Sequence, residues 1–278
     1  MNKIKIISWN KLRRYHYRNQ RIVCKKLGAG DIEDWKSNPY TFLKSKLYIE
    51  ISVLLVYFLQ NTKIKPNHLT FLYILFALIG GLFMASSVDI LILISVILFF
   101  TRGSFDWADG FLARIKNKTT NFGRLLDVWG AKVGSISLIF GVGFYLYNKE
   151  NEYIYLILLI LFMFFQSIDL REFANHMLMT DLIESKNKKK IFNDLKLSKS
   201  KKFRYKNNFF EISKYLVRNF MDGRARSVDF LHLLVIIDNF YYETQILNYI
   251  YFFMLSKAGA VFFGGIYTTM YKNRIFKQ

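Results

Sequence analysis

PNHLTFLYILFALIGGLFMASSVDILILISVILFFTRGSFDWADGFLAR, residues 66–114, holds two apolar runs, Pro66–Ser86 and Val88–Phe105, followed at once by two aspartates. A helix needs ~20 mainly apolar residues to cross a bilayer, and both runs approach that length. Outward from this stretch the pattern recurs: Val128–Tyr147, Tyr153–Ile168, Val228–Phe240 and Leu247–Tyr271 are further apolar runs bounded by charge. Phe42–Gln60 is apolar as well but carries Lys44, Lys46 and Glu50, which suit headgroups. The sequence therefore predicts an all-α integral membrane protein, with six transmembrane helices preceded by an interfacial amphipathic helix at Phe42–Gln60.

Charge gives that reading a direction. The 278 residues include 40 Lys+Arg against 20 Asp+Glu, a net +20, yet 53% are hydrophobic, which excludes a disordered polycation. With six spans, the linkers Ser86–Asp89, Tyr147–Glu152 and Asn239–Gln245 share one side and hold acidic residues and a single lysine. The other side collects the basic amino-terminal arm, Lys116–Arg124, Lys186–Lys190, Lys199–Lys206 and the tail from Lys272. By the positive-inside rule that side is cytoplasmic, with both termini on it, in a plasma (inner) membrane. Counting Phe42–Gln60 as a span would instead export Arg13, Arg14, Arg18, Lys25 and Lys26.

Residues 1–61 are expected to form a basic cytoplasmic arm and interfacial helix, and 62–278 a six-helix transmembrane domain. A basic insertion at 184–226 interrupts that domain, with one short amphipathic helix around Phe209–Phe220. The arm lacks the apolar core and cleavage site of a signal peptide, and it is expected to lie on anionic lipid, with no nucleic acid as partner. A lone cysteine, Cys24, excludes an intramolecular disulfide or a cysteine-based metal site.

Ionisable groups at membrane depth cost roughly 2.5–3.5 kcal/mol or more and so point to function. Asp106 and Asp109 are three residues apart, on one helical face. Gly110 and Ala113 leave that face bare enough for a ligand to touch the backbone, and Asp127 arrives from the next helix. Three carboxylates from two helices, without histidine or thiolate, suit Mg or Mn rather than zinc, and a pair of such ions can clamp phosphate oxygens. The bland alternative is that these aspartates are helix-end charges meeting water or pairing with Arg102, Arg114 and Arg124.

The pattern Asp106-x2-Asp109-Gly110-x2-Ala113-Arg114-x8-Gly123-x3-Asp127 resembles the signature of the CDP-alcohol phosphatidyltransferases, membrane enzymes of phospholipid synthesis. The opening Pro66-Asn67-His68-Leu69-Thr70 is similar too. The resemblance implies a cytidine diphosphate group held over a metal site at the cytoplasmic surface, an acceptor hydroxyl attacking phosphorus, and CMP leaving. Asp106, Asp109 and Asp127 would hold the divalent ions; Gly110, Ala113, Arg114 and Gly123, with Asn67 and Thr70, would line the CDP pocket. The partners implied are a CDP-alcohol donor, an alcohol or lipid acceptor, membrane lipids and a second copy of the chain in a homodimer.

One position departs from the family's pattern. Its signature ends on a fourth aspartate, four residues after the third, which serves as general base; this chain has Ala131 there, followed by Lys132. Alanine cannot take a proton, and losing a general base costs ~10²–10⁴ in rate. The intact surroundings favour a replacement of that aspartate that traps substrate over a natural variant, and in either case a form of low or no activity.

An acceptor bearing its own phosphate needs further cations, for which Arg124, Arg171, Arg224 and Arg226 are candidates. Asp169, Glu172, Asn175 and His176 surround Arg171 and make its helix end polar. Two other readings stand beside the transferase. A catalytically silent relative would bind CDP-alcohol or lipid as a sensor, and a cation transporter would use the three aspartates but has no need for the glycine spacing.

Overall fold

The computed structural model describes residues 6–26, 32–34, 39–167, 225–241 and 245–271. Eight helices carry them: α1 Trp9–Lys26, α2 Pro39–Leu59, α3 Pro66–Ala85, α4 Asp89–Ile115, α5 Asn121–Glu150, α6 Ile154–Ser167, α7 Ala225–Phe240 and α8 Ile246–Tyr271. Among the described residues there is no strand. Four helices are long and apolar enough to cross a membrane: α3, α4, α5 and, over Ile246–Gly264, α8; Ile154–Phe165 in α6 is apolar but shorter. Several long apolar helices make this an integral membrane protein. The expected Val228–Phe240 and Phe42–Gln60 segments are helical, within α7 and α2, but neither is among those four. The helix expected around Phe209–Phe220 lies outside the described residues.

The apolar runs of the sequence understate the helices around the aspartates. α4 continues from Phe105 to Ile115 and α5 begins at Asn121, ahead of Val128. At 1.5 Å per residue the 27 residues of α4 reach about 40 Å, roughly two turns beyond a ~30 Å hydrocarbon core. Those surplus turns hold Asp106–Arg114. Local chemistry ends the helix where it does. Asn117 adopts φ 52°, a left-handed conformation that asparagine tolerates. The N–H of Lys118 then reaches Ala113 O (2.8 Å) and that of Asn117 reaches Arg114 O (3.3 Å), a Schellman closure. Thr120 restarts the chain as a helix by accepting the Gly123 N–H on its Oγ1 at 2.9 Å. The Lys116 ammonium holds the preceding connection by donating to the carbonyls of Thr62 and Ile64 (2.9 and 2.8 Å). The eight-residue spacing between Arg114 and Gly123 is thus one cap, one turn and one cap.

The chain divides into two compact units, Met1–Val142 and Gly143–Gln278. In the first, α4 packs on α2 and α3, and α1 on α2. Its apolar centre includes Leu12, Cys24, Ile49, Val53, Val56, Leu69, Ala108, Phe111 and Leu112, so the arm helix is docked through one apolar edge. The contact between α3 and α5 is made close by small residues, as van der Waals packing in lipid favours. A Cβ added at Gly81 would lie 2.5 Å from the carbonyl oxygen of Ser137, a backbone atom that cannot swing aside. Gly81→Ala should therefore lower the detergent-solubilised thermal midpoint, by a cost of about 1–3 kcal/mol. Gly264→Ala, with nothing within 4 Å of its new methyl, should leave the midpoint unchanged. Equal melting of both variants would refute the close approach.

In the second unit, α8 packs on α6 and α7, and the last turns of α5 join them. Gly143 leaves room for the Tyr251 hydroxyl and Leu159. Asp238 of α7, 4% exposed, accepts from Tyr145 (2.9 Å) and from the Lys149 ammonium (2.8 Å). His232 is buried, and its Nδ1 lies 2.6 Å from Val228 O.

Candidate active site

The three aspartates occupy the first unit. Asp106 and Asp127, from α4 and α5, come within hydrogen-bonding reach of one another. Two carboxylates are acceptors only, so such a contact needs a proton or a cation between them. Asp109, 8% exposed, accepts a 2.5 Å hydrogen bond on Oδ2 from Thr70 Oγ1. The Tyr73 hydroxyl, one turn further along α3, lies 3.0 Å from Asp127 O and 3.2 Å from Asp127 Oδ1. α3 thus supplies one hydroxyl to each of the two neighbouring helices.

Asn67 begins the same face of α3, and its Oδ1 would meet a Cβ added at Gly123 at 3.2 Å. Gly123 is therefore where the start of α5 passes beneath Asn67. Gly110 lies on α4 beneath Nη1 of Arg114, which would stand 3.5 Å from an added Cβ. The Arg114 Nε is buried with no hydrogen-bond partner, and its charge acts on Asp109. Ala113 is half-buried beside it. Arg102, one turn before Asp106, lies over the rings of Tyr73 (5.9 Å) and Phe99 (6.0 Å). Gly134 makes that possible, since any Cβ there would overlap the Arg102 guanidinium.

No arginine pairs with Asp106, Asp109 or Asp127 among the described residues. Arg102 and Arg114 act on Asp106 and Asp109 through their charge, without a close ion pair. Arg124 is exposed and donates to Asn121 Oδ1 at 2.7 Å, within its own turn. Arg171 and Arg224 lie outside the described residues, as do Asp169, Glu172, Asn175 and His176; Arg226 lies in α7. Ala131 is exposed, one turn after Asp127. Its neighbour Gly130 is where the Tyr73 ring passes, a position at which any Cβ would overlap.

The donor set is all oxygen, which fits Mg or Mn, and two of its members already meet. Among the described residues, however, no three His, Cys, Asp or Glu side chains are arranged as a ready-made metal cage. The fit thus rests on the donor chemistry and the Asp106–Asp127 contact.

Sequence reasoning missed Tyr73 and the docking of the arm, and it weighed Arg102 only as a counter-charge. Leu12, His16 and Cys24 of α1 are buried at helical spacing, and the His16 ring stacks on Phe111 at 4.1 Å and 7°. Burial, and secondarily the charge of Arg114, pushes the His16 imidazole down to about 3 from its usual 6.5. Folded His16 is neutral, so its contribution is present above about pH 6.5 and is lost as the pH falls from there towards 3. The thermal midpoint in detergent should fall between pH 7 and 5, and His16→Phe should flatten that fall. An unchanged pH response in His16→Phe would contradict the assignment.

Every residue of the cluster falls inside the segment 63–196, which matches the family model CDP-alcohol phosphatidyltransferase. A comparison with curated proteins gave no match. The spacing of Asp106, Asp109 and Asp127, the supports they draw from α3, and the segment matched lead to one conclusion: across residues 63–196 the chain carries a CDP-alcohol phosphatidyltransferase domain.

Proposed function

We propose that this domain moves a phosphoalcohol or phosphatidyl group from a CDP-linked donor to an acceptor hydroxyl, in phospholipid or polar-lipid biosynthesis. The acceptor oxygen forms a bond to phosphorus, the bond from phosphorus to the CMP oxygen breaks with its electron pair leaving on CMP, and the acceptor's proton passes to solvent. The approach of Asp106 to Asp127 supports the reading, because two acceptors from different helices need a cation or a proton between them. Asp106, Asp109 and Asp127 would hold Mg or Mn, as two divalent ions. When bound, such ions neutralise phosphate charge during the transfer.

The chain's own groups do the rest. Thr70 fixes the orientation of Asp109, and Tyr73 that of Asp127. Gly110, Ala113 and Gly123 keep the backbone accessible to the nucleotide, beneath Asn67 and the Arg114 guanidinium, whose unpartnered Nε is free to serve a phosphate. Arg124, Arg171, Arg224 and Arg226 would serve a phosphate-bearing acceptor. With Ala131 at the base position, no carboxylate takes the acceptor's proton, and this form turns over slowly or not at all. The site and both termini would face the cytoplasm at the plasma membrane, in a homodimer.

A second reading is favoured by Ala131 itself: a silent protein that binds CDP-alcohol or lipid without converting it. Metal-dependent binding of CDP, lost in Asp106→Asn, tests what both readings share and excludes a simple cation transporter. Turnover after Ala131→Asp separates the two.

A further inference from the structure

The arm helix carries a second polar feature, away from the aspartates. Asn10, Arg13, Arg14, Tyr17, Arg18 and Arg21 recur at helical spacing along one stripe of α1, and with Glu33 they line an open groove. The edges of the groove are fixed. Glu50 of α2 accepts from Arg13 Nε (2.7 Å) and from the Tyr17 hydroxyl (2.8 Å), while Arg21 is paired with Glu33. Those contacts use up both acidic groups. Arg14 and Arg18, one turn apart and exposed, have no ionic or hydrogen-bond partner among the described residues. Two guanidinia one turn apart, on a docked helix between neutralised neighbours, suit bidentate contact with phosphate oxygens.

The geometry points to a binding site for a phosphate-bearing anion, and specifically for the headgroup of an anionic phospholipid. The lipid source is favoured by the next edge of the same helix. Tyr15 and Ile22, 46% exposed each, lie seven residues apart beside Arg18, an apolar strip flanked by cations that suits a helix lying in the interface plane. A soluble phosphate would have no use for that strip. The groove lies outside residues 63–196 and shares no residue with the carboxylate cluster, so it stands whether or not the domain turns over.

The test uses the full chain in detergent and counts retained lipid by native mass spectrometry after adding phosphatidylglycerol and phosphatidylcholine together. The expected result is preferential retention of phosphatidylglycerol, weakened about thirty-fold in Arg14→Gln/Arg18→Gln, the effect of two interfacial cations. Arg14→Lys/Arg18→Lys should recover part of it, as a point charge without the fork. Unchanged thermal midpoints in both double variants would locate the loss in the groove rather than in folding. Equal retention by the glutamine variant would overturn the site. Protection of the wild type from arginine-directed modification by glycerol phosphate as effectively as by phosphatidylglycerol would overturn the lipid source.

Discussion

Replacing Ala131 with aspartate should raise CMP release from a CDP-alcohol by ~10²–10⁴, the usual weight of a general base. Ala131 lies one helical turn beyond Asp127, so a carboxylate there shares a face of α5 with that aspartate. The position is exposed, so the added charge needs no burial and should not unfold the helix. Ala131→Asn controls for shape and hydrogen bonding: it cannot take a proton and should give no gain. Phosphodiester product and CMP should appear in equal amounts. If Ala131→Asp binds CDP yet releases no more CMP than the parent, the domain is a silent binder and the transferase reading fails.

Lys149→Met should be the most destabilising single change outside the carboxylate cluster. Asp238 is almost fully buried, and the Lys149 ammonium pairs with it at 2.8 Å. Removing one partner of a buried pair weakens the compensation of the charge left behind, at a cost of about 3–5 kcal/mol. Lys149→Arg should retain most of the stability, and Lys149→Met combined with Asp238→Asn should recover part of what the single change loses. Thermal melting in detergent reads all three. A Lys149→Met midpoint within error of the parent would mean that water reaches the pair and that Asp238 is not buried as described.

The architecture around the aspartates was legible in the sequence because the apolar runs of α3, α4 and α5 are long and interrupted by charge. What hydropathy alone misjudged were the helix ends. Asp106–Arg114 is too polar to extend an apolar run, yet it continues the same helix until Asn117 turns left-handed. The asparagine and the Thr120 that follows are ordinary stop and start signals, readable once sought. Asn67 and Thr70 were legible from the opening of α3, and Tyr73 is the next residue on their face, three positions on. Arg102, four residues before Asp106, was just as close in sequence but was weighed only as a counter-charge.

The docking of the arm was harder to see. Leu12, His16 and Cys24 form its buried edge, but they are scattered among arginines and lysines that dominate the composition of α1. Only a surface offering Phe111, Ala108 and Val53 gives that edge meaning, and such a surface is a property of the folded unit. The acceptor arginines show the opposite case. Arg124 was read as a candidate for the acceptor's phosphate; its guanidinium donates to Asn121 in the first turn of α5, a contact that spacing does not announce.

The most direct test of the central claim is equilibrium binding of CDP to the detergent-purified chain, first with Mg or Mn and then with EDTA. The nucleotide should bind with the metal, dissociate on chelation, and fail to bind Asp106→Asn even at saturating metal. CDP binding that is indifferent to EDTA and to Asp106→Asn would contradict the assignment of Asp106, Asp109 and Asp127 to a metal-held CDP site.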